Sequence, residues 1–107
     1  MQGAPFDPGS LVVVSLSSPR EKFWGALLSL SSAGISIRGI TLEALDDFAR
    51  QLRSGDPADP GLVFFPMHRV ERIELDARSG EVPSLAERFL AKSGVSAIEV
   101  FCREVVE

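Results

Sequence analysis

Apolar and polar residues alternate along the first part of the chain, which is typical of half-buried β-strands. Val12, Val14 and Leu16 share one face of the first such segment. Gly25 interrupts the second segment and predicts a bend or a close approach of two backbones. Short turns separate the segments, so we expect an antiparallel meander of three strands. Their predicted limits are residues 11–17, 22–30 and 35–40.

The spacing of apolar residues changes after Thr41, where they recur every three or four positions. This spacing predicts a helix with Thr41 as its N-cap. Acidic residues come early in the segment and arginines come late, which is the order that the helix dipole favours. We therefore expect a helical insertion over residues 41–54, and a loop rich in Asp, Pro and Gly follows it. The apolar face consists of Leu42, Leu45, Phe48, Ala49 and Leu52.

Two further strands are predicted after this loop. Residues 62–65 are large and apolar, and Pro66 marks a sheet edge or a strand end because it lacks an N–H donor. Ile73 and Leu75 alternate with charged residues in the next strand. The turn between the two strands is too tight for a hairpin loop. Five short strands arranged in this way favour a small, strongly bent β-barrel with added helices.

The C-terminal part, residues 84–107, is predicted to be a helical extension of one or two helices. Ser84 and Glu87 have the spacing of a capping box, and Gly94 is a typical helix stop. Ser96 and Glu99 repeat the capping-box spacing. The last segment fits one helical face, but its apolar residues also alternate as in a strand, so residues 97–106 stay open between helix and strand.

Composition limits the class of protein. The 107 residues contain no linker and no internal repeat, which indicates a single domain over residues 1–107. The longest apolar runs, Leu11 to Val14 and Leu62 to Phe65, are far shorter than the roughly 20 residues of a transmembrane helix. The N-terminus lacks a secretory signal, so we expect a cytoplasmic protein without a membrane partner. The net charge of −4 means that a nucleic-acid ligand requires a local basic patch.

The order of the elements resembles the Sm-like fold of the Sm and Hfq proteins over residues 11–76, once the helical insertion is allowed for. Residues 12–37 are similar to the first Sm motif, with a bent strand, a turn and an aliphatic strand. Residues 67–73 are similar to the Hfq segment in which His is followed by alternating aliphatic and polar residues. The resemblance implies a self-associating barrel that holds RNA in two loops near a ring pore.

The two loops depart from the family pattern at several positions. The aromatic residue on which a base stacks in the family is absent here, and stacking contributes about 1 to 3 kcal/mol per base in single-stranded binding. His68 is retained. The departures are Ser31 in place of Asp, Ala33 in place of an aromatic residue or Met, Gly34 in place of Asn, and Pro66 and Met67 in place of Tyr and Lys.

His68 is the only imidazole and lies beside a strand end. It is either exposed for binding, or its ring hydrogen-bonds the turn backbone and fixes the strand crossover. Without a second His or a nucleophile motif it has no catalytic partner, so we predict no enzyme activity, no metal site and no cofactor. The candidate RNA-binding or anion-binding residues are His68, Arg69, Arg72, Arg38, Ser31 and Ser32.

The basic members of this set have two interpretations. In a barrel they converge with Arg20 and Lys22 into one basic patch. Alternatively, they form local ion pairs on a solvated surface, each worth about 0.2 to 1 kcal/mol. The partners in that interpretation are Glu21, Glu71 and Glu74.

Two pairs of adjacent aromatic residues, Phe23 with Trp24 and Phe64 with Phe65, indicate that copies of the chain associate. Neighbouring residues in a strand point to opposite faces, so one member of each pair is expected to leave the core. Either the added helices or another subunit then covers it. We therefore expect a homo-oligomer, either a dimer or a ring, that binds RNA, with a protein-docking module that binds no nucleic acid as the alternative function. The candidate interface residues are Trp24, Phe64 and Phe65.

Overall fold

The computed structural model describes residues 5–102, which form one five-stranded antiparallel sheet and three α-helices. Each predicted strand is present, and so are the helical insertion and the C-terminal helices. A short 3-10 helix, Leu42–Ala44, precedes α1, and another, Met67–Arg69, joins β4 to β5. The elements are β1 Leu11–Leu16, β2 Glu21–Leu30, β3 Gly34–Thr41, α1 Leu45–Arg53, β4 Gly61–Pro66, β5 Val70–Leu75, α2 Leu85–Ser93 and α3 Ala97–Phe101.

The strand order in the sheet is β4-β3-β2-β1-β5. The meander of β1, β2 and β3 forms the centre, as its short turns predict. β4 and β5 are consecutive in the chain yet lie at opposite edges, because the 3-10 helix Met67–Arg69 sends β5 across to pair with β1. Within residues 5–102, β4 pairs only with β3 and β5 only with β1. The sheet does not close, so the predicted barrel is not confirmed.

Both faces of the sheet are buried, and each has its own core. We call the face that the helices cover the helix face and the opposite one the bare face. α1, α2 and α3 cover the helix face, whose buried residues are Trp24, Ala26, Ile40, Leu45, Phe48, Ala49, Phe89, Ala97, Val100 and Phe101. The buried residues of the bare face are Val12, Val14, Leu16, Phe23, Leu27, Ile35 and Ile37.

The two cores decide between the two expectations for the first aromatic pair, Phe23 and Trp24. Phe23 and Trp24 do point to opposite faces, but both are buried, since each face has a core. Trp24 is fully enclosed, with its ring centroid 4.8 Å from that of Phe101 and 5.5 Å from that of Phe89. Trp24 therefore does not reach the surface, and its assignment to a subunit interface is wrong. The added helices cover this residue.

Gly25 pairs with Gly39 across β2 and β3. A Cβ at Gly25 would overlap the Arg38 carbonyl, and one at Gly39 would overlap the Trp24 carbonyl. The close backbone approach that the sequence indicates at Gly25 is therefore present, and both positions need a residue without a side chain.

The helix termini follow the predicted signals in part. The Ser84 hydroxyl accepts the Glu87 amide and the Glu87 carboxylate accepts the Ser84 amide, which completes the capping box, and Gly94 ends α2 at a φ of 81°. Ser96 accepts the Ile98 amide and starts α3 as a helix. The part of the open segment beyond Cys102 lies outside the described residues. Thr41 precedes the 3-10 helix without a side-chain capping bond.

Asp76 joins the helices to the sheet. Its carboxylate accepts hydrogen bonds from Trp24 Nε1 at 3.1 Å, from the Leu85 amide at 2.8 Å and from the Ala86 amide at 2.9 Å. One side chain thus connects β5, β2 and the first turn of α2. Within residues 5–102, none of the helices is long and apolar enough to span a bilayer.

Candidate functional site

The two loops of the predicted RNA site lie side by side. The amide of Met67 donates to the Ala33 carbonyl at 2.9 Å, and Gly34 pairs with Pro66 across β3 and β4. The turn between β2 and β3 therefore contacts the 3-10 helix between β4 and β5. We refer to residues 31–34 and 67–69 as the paired loops.

His68 is exposed in the paired loops, and its ring makes no hydrogen bond to any residue between 5 and 102. The interpretation in which the ring is tied to the turn backbone is therefore wrong. Ser31 and Ser32 are also exposed. The Ser31 hydroxyl accepts the Ala33 amide at 3.2 Å and shapes the turn. The paired loops thus present one imidazole and short polar side chains, without an aromatic platform.

Arg69 has a structural role in the turn between β1 and β2. Its guanidinium donates to the Ser17 carbonyl at 2.9 Å, to the Pro19 carbonyl at 2.8 Å and to the Glu21 carboxylate at 3.1 Å. Its Cζ also lies 5.8 Å from the centre of the Phe65 ring. These contacts use the Nε and Nη2 donors of the guanidinium, so a ligand that binds through those atoms competes with them for Arg69.

The predicted basic patch forms only in part. Arg72 lies with Arg20 and Lys22 along one cleft at the end of the sheet. Arg69 turns toward the β1–β2 connection. Arg38 pairs with Ala26 in β2, four residues beyond Lys22, and lies close enough to Cys102 to act on the charge of its thiol.

The local ion pairs that the alternative interpretation predicts are also present. The Arg72 guanidinium lies 3.6 Å from Glu74 in an exposed pair, and Arg69 binds Glu21. Exposed pairs of this kind contribute little to stability because water screens both charges. Arg72 is therefore held loosely, whereas Arg69 is fixed by backbone carbonyls as well.

The edge strands carry exposed apolar side chains. On β4, Leu62 is 62% exposed and Phe64 is 53% exposed, while Phe65 is half-buried with its ring 5.3 Å from that of Phe23. On β5, Leu75 is 42% exposed. Of the three predicted interface residues, Phe64 is thus the most accessible, Phe65 is partly so and Trp24 is not.

Sequence reasoning overlooked Ser15. This residue is 8% exposed, and its Oγ is enclosed without a hydrogen-bond partner among the described residues. It also lines the cleft that contains Arg20, Lys22 and Arg72. The one signal in the sequence is a hydroxyl within a valine-rich strand, at a position whose neighbours become known only from the strand register.

No three His, Cys, Asp or Glu residues within 5–102 are grouped so that they could hold a metal ion. Comparison of the chain with models of protein families, with curated proteins and with solved structures finds no significant match.

Proposed function

We propose that this protein is a noncatalytic, self-associating protein of the Sm-like type, whose copies join through their sheet edges and whose paired loops contact RNA. In this assembly, β4 of one copy pairs with β5 of the next. The open sheet of each chain is then continued by its neighbour, and the barrel-like curvature that the sequence favours is completed between copies.

The observation that carries the proposal is the pair of unpaired edges. β4 and β5 each contain six residues, and each has a hydrogen-bonded neighbour on one side only within the described chain. An exposed edge with apolar side chains is a template for pairing with another chain. Joining two different edges is a heterologous contact, which closes into a ring when the rotation between copies permits.

The contact between the paired loops supports the RNA part of the proposal. Each copy in a ring presents the same loops, so His68 and the two serines recur around it. Without an aromatic residue to stack on, we expect these loops to bind RNA through hydrogen bonds and phosphate contacts, with weak base preference and strong salt dependence.

The first test is the native mass by light scattering. We expect a mass of several subunits for the unaltered protein. Replacing Leu62 and Phe64 together by Lys places two charges on the β4 edge, which opposes edge pairing, and we expect a monomer. Leu90→Lys is the matched control, because Leu90 is 50% exposed on α2 and lies away from both edges. A monomeric unaltered protein contradicts the assembly.

The RNA test measures the binding of uridine-rich and adenine-rich oligonucleotides by fluorescence anisotropy at several salt concentrations. We expect His68→Ala to weaken binding and a steep loss of affinity as salt rises. Glu99→Ala on α3 serves as a control variant outside the paired loops. If neither oligonucleotide binds at low salt, the RNA part of the proposal is wrong.

A protein-docking module is the second candidate. Exposed apolar side chains on α2 and α3, Leu90 at 50% and Ile98 at 49%, favour it. A monomer that binds no oligonucleotide supports this alternative over the first proposal. In that case the Leu90→Lys control becomes the variant of interest.

A further inference from the structure

A cleft of about 390 Å³ lies beside the turn between β1 and β2, apart from the paired loops. We propose that it binds a phosphate group between Lys22 and Arg72, with the hydroxyl of Ser15 as a third donor. This inference does not depend on self-association or on RNA binding. The residues that line the cleft are Ser15, Leu16, Arg20, Glu21, Lys22, Glu71 and Arg72.

The strand register brings the three donors together. Ser15 pairs with Lys22 in β2 on one side and with Arg72 in β5 on the other. Residues directly opposite in antiparallel strands project from the same face, with their Cβ atoms about 5 Å apart. A buried hydroxyl is therefore flanked by two long cationic side chains, and this arrangement belongs to the sheet rather than to a loop.

The Ser15 hydroxyl is the observation that points to a ligand. Ser15 and Ser93 are the two buried polar residues recorded in the described chain. The Ser93 hydroxyl donates to the Val95 carbonyl at 3.1 Å and accepts the Val95 amide at 3.0 Å, whereas the Ser15 hydroxyl has no partner. A buried hydroxyl without a hydrogen bond destabilises the fold, and an oxygen of a ligand would remove that penalty.

The cleft carries a net positive charge. Its cations are Arg20, Lys22 and Arg72, and its carboxylates are Glu21 and Glu71. Glu21 binds Arg69 at 3.1 Å, so its charge is already compensated. The exposed pair between Arg72 and Glu74 is loose, at 3.6 Å.

A bulge shapes the β5 side of the cleft. The register between β1 and β5 shifts between Ser15 and Leu16, which leaves Glu71 without a partner residue in β1. Bulges are common beside binding sites because they change the direction of neighbouring side chains. Lys22 and Arg72 are exposed as well as long, so both can turn toward a ligand and let one of its oxygens reach Ser15 Oγ.

A phosphate group fits these donors. A guanidinium and an ammonium beside a neutral hydroxyl donor match the oxygens of a phosphate, and charge-assisted hydrogen bonds of this type are the strongest in proteins. The cleft exceeds the volume of one phosphate, and a second cleft of about 370 Å³ at Thr41 and Leu42 shares Arg20 and Lys22 with it. A nucleoside monophosphate therefore has space for its sugar and base beside the phosphate.

The experiment titrates the full chain with inorganic phosphate and, separately, with adenosine monophosphate, followed by calorimetry at low salt. We expect dissociation constants of about 1 mM or tighter for at least one of them. Equal affinities identify free phosphate as the ligand chemistry, and tighter nucleotide binding shows that the second cleft contributes. The absence of binding of either compound up to about 10 mM overturns the proposal.

Charge variants locate the site. Lys22→Gln and Arg72→Gln should each weaken phosphate binding about tenfold, because each removes a charge-assisted hydrogen bond. Arg50→Gln is the matched control: Arg50 is exposed and forms an ion pair with Asp47, as Arg72 does with Glu74, but it lies on α1. An equal loss in all three variants indicates a diffuse charge effect and overturns the assignment to this cleft.

Ser15→Ala separates a binding role from a purely structural one. Without ligand, the variant should unfold about 4 °C higher, since it no longer buries an unpaired hydroxyl. Its phosphate affinity should fall about tenfold. Ser36→Ala, on the same face in β3, should change neither value. Higher stability with unchanged phosphate affinity would show that the Ser15 hydroxyl is buried and unpaired but takes no part in binding. This outcome would overturn its place in the site.

Discussion

The helix face and the bare face of the sheet are both buried, but within residues 5–102 helices pack only on the helix face. On the helix face, aromatic rings from β2, α1, α2 and α3 contact one another, and Trp24 and Phe101 are fully enclosed. On the bare face the central strands are buried, while β4 and β5 contribute half-buried side chains such as Val63, Phe65 and Ile73.

The difference follows from chain connectivity. The three helices pack on one face because the segments that follow β3 and β5 run to that face. Asp76, directly after β5, holds the first turn of α2 through two hydrogen bonds. Among the described residues, the core of the bare face is built from strand residues alone. The half-buried members of this core lie on the edge strands β4 and β5, which are the strands that our proposal assigns to self-association.

The largest expected effect is a difference between the two faces in the free energy of unfolding that is lost when an aromatic residue is removed. Trp24→Ala should lower the free energy of unfolding by about 4 kcal/mol, because a fully buried ring and its ring contacts are lost. Phe65→Ala should cost about 2 kcal/mol, since Phe65 is half-buried at the edge. Urea unfolding followed by circular dichroism measures both. Trp24 is the only tryptophan, so its fluorescence is lost in the first variant.

If the two variants lose the same stability, the edge of the bare face is as well packed as the helix face, and the contrast between the faces is wrong. The measurement is made at low protein concentration, because subunit binding stabilises the edge by mass action. A loss for Phe65→Ala that grows with protein concentration indicates that assembly adds to the burial of this residue.

The second effect tests the connection between the sheet and the helices. Asp76→Ala should cost about 2 kcal/mol, because it leaves the Trp24 indole and two helix amides without an acceptor. Hydrogen exchange should show faster exchange at the Leu85 and Ala86 amides. Asp56→Ala, in the exposed loop after α1, is the control and should have almost no effect. Unchanged protection at the two amides would contradict the role of Asp76.

The sequence predicted the strands and helices well because local signals dominate them. The capping box at Ser84 and Glu87 and the glycine at residue 94 act within a few residues and are present as predicted. The alternation around Val12 and Val14 identified one face of β1. These features depend on the backbone of one element and hardly on the rest of the fold.

Long-range features were predicted less well. The presence of two cores could not be read from alternation, so the sequence left open whether the added helices or another subunit covers Trp24. The contacts of Arg69 with Ser17 and Pro19 join residues about fifty positions apart. Ser15 gained significance only once β1 was known to lie between Lys22 and Arg72. Charge counts along the chain contain none of this register information.

A smaller effect is the loss of stability in acid that we expect from the Glu87 carboxylate, which caps α2 on the helix face. The Ser84 amide that donates to Glu87 is the main cause that lowers the pKa of this carboxyl below its ordinary value, and Arg78 contributes. The capping contribution is therefore complete above the ordinary pKa and is lost as the pH falls through the lower, folded-state pKa.

We expect the thermal stability of the protein to fall as the medium is acidified through this range, with a shallower fall for Glu87→Gln. Glu99→Gln on α3 is the control and should follow the unaltered protein. Thermal unfolding monitored by circular dichroism at a series of pH values gives the comparison. Identical profiles for Glu87→Gln and the unaltered protein would show that the capping carboxylate does not govern the acid limb.

The smallest expected effect lies at the alkaline end, and it also concerns the helix face. Burial raises the pKa of the Cys102 thiol, which lies at the end of α3 with its Sγ 3.7 Å from the Gly9 carbonyl, and the charge of Arg38 offsets part of that rise. A raised pKa means that the thiol stabilises the fold below its unfolded-state pKa and that this contribution is lost as the pH rises through the folded-state value.

We expect slow alkylation of Cys102 by iodoacetamide near neutral pH, with a rate that increases at a higher pH than for a peptide thiol. Cys102→Ser should remove the corresponding loss of stability in alkali. If the native thiol reacts with the same pH profile as a peptide thiol, the contact between Cys102 and the Gly9 carbonyl opens freely, and the helix face is less tightly packed at this end than at Trp24.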